Sequence, residues 1–125
     1  MKKPSFTTII NQIIEFNDKR GWDPEPVDSA KSIVIESAEL LEHFQWDATD
    51  QRKDEKKDWT DIELEVADVF WYLLTFCHKT NIDPLGAIQN KIKYNEEKYP
   101  EDHFNGKHNQ KFYKQRKMEY RNKNK

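Results

Sequence analysis

The sequence predicts an all-α fold with four helices in each subunit. Only 3 of the 125 residues are glycine, and no two alternating apolar segments are joined by hairpin turn residues, which argues against a β-sandwich or barrel. Apolar residues instead recur at three- to four-residue spacing between residues that commonly begin or end helices. The length is that of one compact domain.

The first two predicted helices lie on either side of a proline-containing loop. Ser5 can cap the first helix, and Gly21 ends it. The second helix is opened by Asp28 or Ser29 and runs to about Trp46. Apolar residues surround most of this second helix, so it is expected to lie inside a bundle. The apolar positions of the first helix include Ile9, Ile10, Ile13 and Ile14.

The third predicted helix follows a charged segment. Residues 47–58 are mostly charged or polar and predict a solvated connector. Thr60 and Glu63 then have capping-box spacing, in which each side chain satisfies an exposed amide of the other residue. The helix that they open is expected to run to roughly His78.

The fourth predicted helix begins at Asp83-Pro84 and ends at Pro100, because proline suits a first helical position and disfavours helix at the residue before it. Residues 1–106 are predicted to form the domain, and residues 107–125 a flexible tail. This tail carries eight Lys/Arg residues and one glutamate, although the whole chain has a net charge of -2. The body is therefore acidic and the tail basic.

Composition predicts a folded protein whose core is shared between subunits. Hydrophobic and charged residues each make up 35% of the chain, and the mean hydropathy is -1.10. One subunit therefore has little apolar surface with which to offset the conformational entropy lost on folding. Aromatic residues nevertheless reach 13%, which is more than a disordered chain would have.

Nothing in the sequence predicts export or a membrane segment. No apolar run approaches the roughly 20 residues needed to cross a bilayer, and the amphipathic N-terminal segment is unlike a secretory signal. Cys77 is the single cysteine, which excludes an internal disulfide and fits a reducing compartment. We therefore expect a cytoplasmic protein.

Two pairs of carboxylates are the most informative feature of the sequence. Glu36 and Glu39 lie three residues apart on the second helix, and Glu65 and Asp68 lie three apart on the third, so each pair projects from one helix face. Their neighbours are mostly apolar, which indicates packed positions. Four like charges buried together are unfavourable without a counter-ion. The sequence therefore predicts a divalent cation between the two helices.

A set of ligands that consists only of oxygen atoms favours a hard cation, Mg²⁺ or alternatively Mn²⁺. Mg²⁺ in proteins commonly shares its ligands with substrate phosphates, so a phosphoanhydride substrate is expected. Other site classes lack their motifs: the chain has no Glu-x-x-His pair, phosphate-binding glycine loop, nucleophile elbow or His-Glu-x-x-His helix. Cys77 and His43 are interpreted as a core residue and a helix-surface histidine, outside the site.

Three sequence segments resemble one enzyme family. They are ESAELLEHFQW at 36–46, EVADVFWY at 65–72 and KIKYNEEKYP at 91–100. In this order and spacing they are similar to the MazG-like all-α nucleoside triphosphate pyrophosphohydrolases, especially the branch that contains dCTP pyrophosphatase. The resemblance covers about residues 6–106 and implies a homodimer or homotetramer that cleaves a nucleoside triphosphate between its α and β phosphates.

The resemblance also implies roles for particular residues. The four carboxylates would hold Mg²⁺, and Glu36 or Glu39 would take the proton of the attacking water. The aromatic residues Trp22 and Trp46 would flank the base, with Tyr72 near it. Phosphates or sugar would be met by Lys91, Asn95, Lys98 and Tyr99. Relatives usually have a His and a Lys-Asn pair where this chain has Pro24, Val27 and Asp28, so the preferred base is open.

Two other functions remain open at this point. The chain could be a helical interaction module whose acids are solvated and whose basic tail binds nucleic acid or an acidic partner. It could also bind nucleotides as a sensor without turning them over. Magnesium-dependent release of pyrophosphate distinguishes the enzyme from both.

Overall fold

The computed structural model describes residues 2–46, 57–104, 106 and 110–124, so most of the predicted connector at 47–58 lies outside the described residues. Every regular element in the described ranges is a helix, which confirms the all-α prediction. The elements are α1 (Phe6–Asp18), α2 (Pro26–Glu42), α3 (Trp59–Thr80), α4 (Pro84–Lys98) and α5 (Gln110–Lys123). They form two compact units, residues 1–82 and 83–125.

The start of α1 is as predicted, whereas the start of α2 differs. The Ser5 hydroxyl accepts a hydrogen bond from the Thr8 backbone N–H at 3.1 Å and caps α1. Helix α2 already begins at Pro26, because proline favours a first helical position. Asp28 therefore lies inside the first turn, where its Oδ2 accepts from the Glu25 backbone N–H at 3.0 Å. The prediction that Asp28 or Ser29 precedes the helix is wrong.

Helix α3 is opened by Asp58 and not by the predicted Thr60–Glu63 capping box. Asp58 Oδ1 accepts from the backbone N–H groups of Thr60 and Asp61 at 3.0 and 3.3 Å, so the helix starts one residue earlier, at Trp59. At its other end α3 runs to Thr80 and is closed by Asn81, which has a left-handed conformation (φ 57°).

In the first unit, α2 packs along α3, and α1 also packs on α3. Among the described residues of this unit, few apolar side chains are buried, namely Ile13, Ile62, Leu74 and Cys77. Several large apolar side chains of α2 and α3 are exposed. No helix in the described part of the chain is long and apolar enough to cross a membrane.

The second unit contains α4 and a fifth helix. Helix α4 begins at Pro84 and ends before Pro100, as predicted. Residues 110–123 form α5 within the segment for which the sequence predicts a flexible tail. Its tyrosines pack on the end of α4: Tyr113 stacks on Tyr99, and Tyr120 meets Tyr94 edge-on, both with ring centroids 5.0 Å apart. Because tyrosines seven residues apart lie on one helix face, this aromatic packing gives the basic segment a defined place.

Candidate metal and nucleotide site

The four predicted metal ligands come together between α2 and α3. Carboxylate oxygens of Glu36, Glu65 and Asp68 lie within 4.8 Å of one another. Glu39, one turn after Glu36, interacts through its side chain with both Glu36 and Glu65. The three-residue spacing within each pair and the packing of the two helices thus produce one acidic cluster.

The cluster is electrostatically unfavourable without a cation. Burial raises the pKa of Glu36, and the charges of Glu39 and Asp68 raise it further. The pKa of Glu65 is raised by burial and then by Glu39. Desolvation and like charge both favour the protonated acid, so a cation that neutralised the cluster would be stabilised there.

Glu65 gives a second indication that the cluster fits a metal ion. Its Oε2 is buried and has no hydrogen-bond partner among the described residues. Its Oε1 lies 3.8 Å from His43 Nε2, so His43 is half-buried beside the cluster and is not the plain surface histidine that the sequence indicated. A buried carboxylate oxygen without a partner is costly, and a hard cation is the ligand that oxygen donors suit.

A cavity of about 470 Å³ lies next to the cluster, and Tyr72 borders both. Tyr72 lies one turn after Asp68 on α3, and the pKa of its phenol is raised by burial and then by the charges of Glu36 and Asp68. Trp22 and Trp71 also line the cavity. The cavity therefore offers aromatic faces at one side of the acidic cluster, as a nucleoside would need.

The loop after α1 holds Trp22 at this cavity. Gly21 has φ +65°, a conformation that glycine adopts without strain, and the Trp22 backbone N–H donates to the Asn17 carbonyl at 3.0 Å. Asp23 forms an ion pair of 2.6 Å with Lys79 at the end of α3. The indole of Trp22 also meets Phe16 at a centroid distance of 6.0 Å and remains 57% exposed, so one face is free to stack.

The other predicted site residues belong to two further segments of the chain, one directly after α2 and one in the second unit. Trp46 follows α2, is 88% exposed and is not among the residues that line the cavity. The four residues predicted to meet phosphates or sugar lie in the second unit, three on α4 and one directly after it: Lys91, Asn95, Lys98 and Tyr99. There Lys91 Nζ lies 4.5 Å from the ring centroid of Tyr94, and the buried Lys98 places Nζ 5.1 Å from that of Tyr99. Their roles toward a nucleotide remain predictions.

The sequence-based prediction missed several residues that line the cavity. Trp71 and Thr75 belong to α3 and lie three and seven residues after Asp68, on nearly the same helix face. A search of the next two turns of α3, along the helix face that carries Asp68, would have identified both residues. Asn17 has no such spacing to guide a prediction, because its position at the cavity depends on how α1 packs on α3.

The part of the sequence that contains the acidic cluster matches a known protein family. The MazG-like family matches this chain over residues 31–115, a range that includes all four carboxylates. The chain belongs to the MazG-like family. The matched range therefore includes the residues that the fold brings together on α2 and α3.

Known relatives of this MazG-like chain include proteins named as pyrophosphatases. The dCTP pyrophosphatase 1 proteins of Rattus norvegicus and Mus musculus are each 26% identical to it over 103 residues, which are 78% of this chain and 61% of theirs. The crystal structure of a pyrophosphatase from Archaeoglobus fulgidus is 38% identical, with a TM-score of 0.73. That similarity covers 80% of this chain and 96% of the archaeal one.

Proposed function

We propose that this chain is a metal-dependent nucleoside triphosphate pyrophosphohydrolase that cleaves between the α and β phosphates. The observation that carries this proposal is the convergence of four carboxylates from α2 and α3 beside an aromatic-lined cavity. Relatives named as pyrophosphatases support the same reaction class. The products would be a nucleoside monophosphate and pyrophosphate.

Glu36, Glu39, Glu65 and Asp68 would hold Mg²⁺, or alternatively Mn²⁺. When bound, such an ion offsets the negative charge of the phosphates and lowers the pKa of a coordinated water. The carboxylate donors, and the buried oxygen of Glu65 that has no described partner, fit a hard ion of this kind.

The chain's own residues would supply the proton transfer and the binding energy. Glu36 or Glu39 would accept a proton from the attacking water as its oxygen forms a bond to the α phosphorus. The bond between the α phosphorus and the bridging oxygen would break, and pyrophosphate would leave with the bonding electron pair.

The substrate would be a deoxynucleoside triphosphate such as dCTP, and the reaction would serve nucleotide pool sanitation. Trp22 and Tyr72 line a cavity that would hold the base and sugar. Trp46 would flank the base as well. Lys91 and Lys98 would offset charge on the phosphates through their ammonium groups, and Asn95 and Tyr99 would form hydrogen bonds to phosphate or sugar.

A homodimer or homotetramer in the cytoplasm is part of this proposal. Val34 and Leu41, seven residues apart on α2, are 69% and 62% exposed. An apolar stripe of this kind on a chain with a small buried core favours packing against a second copy.

The proposal is tested by incubating the full chain with a panel of deoxy- and ribonucleoside triphosphates. Monophosphate and pyrophosphate are quantified with Mg²⁺, with Mn²⁺ and with a chelator. We expect metal-dependent release of both products in equal amounts. Release of orthophosphate, or no turnover with any nucleotide, would contradict the proposal and favour an interaction module or a nucleotide sensor.

Two glutamine variants locate the activity. Glu39→Gln should abolish turnover while the protein remains folded by circular dichroism. Glu63→Gln is the matched control, because Glu63 is an exposed glutamate of α3 outside the cluster. Full activity in Glu39→Gln would exclude the acidic cluster as the site of reaction.

A further inference from the structure

Asn17 is a largely buried residue that lines the cavity, and its side-chain amide has no hydrogen-bond partner among the described residues. It lies in the last turn of α1, is 9% exposed and lines the cavity of about 470 Å³. Its backbone carbonyl accepts from the N–H groups of Arg20 and Trp22. Its side-chain amide, by contrast, makes no hydrogen bond with any described residue. An amide that lines a cavity without a partner in the described chain is available to hydrogen-bond a ligand or water.

Three other polar side chains at the cavity, those of Thr75, Asp28 and Asp23, already have partners. The Thr75 hydroxyl donates to the Trp71 carbonyl at 2.8 Å. Asp28 accepts from the Glu25 backbone, and Asp23 is paired with Lys79. Asn17 therefore adds to the aromatic faces of this cavity a donor and an acceptor that are both uncommitted.

We infer that Asn17 binds the hydrogen-bonding edge of the substrate's base. This inference rests on the proposed function and adds a base-recognition residue to it. A primary amide presents one acceptor beside one donor, and it forms paired hydrogen bonds with base edges in protein–nucleic acid complexes. The aromatic side chains Trp22 and Trp71 line the same cavity and offer faces for stacking, whereas Asn17 supplies the in-plane contact.

The contact does not by itself select one pyrimidine. Cytosine offers an amino donor beside a ring acceptor, and thymine offers a carbonyl acceptor beside a ring N–H. The amide satisfies either arrangement after rotation by about half a turn, and no described residue fixes its orientation. Asn17 thus supplies affinity for a base edge without choosing between cytosine and thymine.

The test replaces Asn17 by leucine, which keeps the size and removes the hydrogen bonds. Asn17→Leu should lower kcat/KM roughly ten- to a hundredfold for dCTP and for dTTP, by the same factor within about threefold. An abasic deoxyribose 5′-triphosphate, which lacks the base, should be hydrolysed by wild type and variant at equal kcat/KM. Asn11→Leu is the matched control on the exposed part of α1 and should change none of these values.

Each other outcome overturns the inference. Equal loss for dCTP and for the abasic substrate would show that Asn17 supports the fold, and an unchanged kcat/KM for dCTP would show that it does not contact the base. A large loss of kcat/KM for only one of dCTP and dTTP would contradict an Asn17 amide that can adopt either orientation.

Nucleoside binding separates this inference from the proposed function. Deoxycytidine should quench the tryptophan fluorescence of the wild type and of Asn11→Leu, and its affinity should fall about tenfold or more in Asn17→Leu. If no nucleotide is hydrolysed but this difference is observed, the proposed function fails and the role of Asn17 stands. Equal affinities in wild type and Asn17→Leu overturn the role of Asn17 whatever the hydrolysis assay shows.

Discussion

Lys79 Nζ donates to Asp23 Oδ1 at 2.6 Å and so links the end of α3 to the loop that holds Trp22. The pKa of Lys79 is raised, first of all by this hydrogen bond, so the ammonium stays charged. The loop and α3 both contribute residues to the wall of the cavity. Their ion pair therefore holds the position of Trp22 relative to Tyr72.

Lys79→Met should weaken nucleotide binding more than catalysis. Without the ion pair, Trp22 is held less firmly, so KM is expected to rise a few-fold while kcat changes little. Because Asp23 is largely exposed, the free energy of unfolding should change little. Steady-state kinetics and urea unfolding measure both quantities. Lys19→Met, which removes the exposed Lys19–Glu15 pair of α1, is the control that should leave KM unchanged.

Glu36→Gln should stabilise the metal-free protein. Burial and the charges of Glu39 and Asp68 disfavour the ionised Glu36, and a neutral amide removes this repulsion. Thermal unfolding in the presence of a chelator should therefore show a higher Tm for Glu36→Gln than for wild type. Adding Mg²⁺ should raise the Tm of wild type and have little effect on the variant, because a ligand is lost. A lower Tm for the metal-free variant would contradict the repulsion at this site.

The acidic cluster also determines how stability depends on pH. Glu36 and Glu65 have pKa values raised in the folded state, so between the unfolded value of about 4.5 and the raised values the folded protein binds more protons than the unfolded chain. Their contribution to stability is therefore fully present below the unfolded pKa and is lost as pH rises through the folded pKa values.

The change in the stability of the wild type with pH, relative to a variant without these charges, should have opposite signs with and without metal. In a chelator, the contribution of the cluster should make the wild type less stable relative to a Glu36→Gln/Glu65→Gln variant as pH rises through this window. With saturating Mg²⁺ the wild type should instead become more stable relative to the double variant as pH rises. The reason is that the ion binds the deprotonated carboxylates, so its affinity falls as pH falls. Urea unfolding of both proteins at a series of pH values measures the difference, and parallel curves would contradict the raised pKa values.

The stability of helix α5 should depend on its tyrosines. Its surface is otherwise mostly polar and basic, and the pairs Tyr99–Tyr113 and Tyr94–Tyr120 hold it on α4. Each such pair contributes roughly 0.5–1.5 kcal/mol beyond apolar burial. Tyr113→Ala/Tyr120→Ala should therefore abolish the amide protection of α5 in hydrogen exchange while the protection of α3 is retained. Lys114→Ala, an exposed change on the same helix, should leave the protection of both helices unchanged.

The sequence predicted the elements and the acidic cluster better than it predicted the boundaries and the cavity. Glu36 and Asp68 were identified because three-residue spacing on apolar helices is a local pattern. The cap at Asp58 was missed because two neighbouring residues could each open α3, and only the backbone geometry decides between them. Asn17 was missed for another reason: nothing in α1 alone indicates which polar residue will face α3.

The exposed apolar stripe on α2 predicts association between copies of this chain. Val34 and Leu41 remain exposed in the single chain, and burying two such side chains would contribute about 3 kcal/mol or more per subunit. Val34→Gln/Leu41→Gln should therefore shift the protein toward monomer in sedimentation velocity at micromolar concentration. Lys31→Gln, a change at an exposed charged position of α2, should leave the sedimentation coefficient of the wild type unchanged. A wild type that sediments as a monomer, or a double variant that remains associated, would show that this stripe does not form the interface.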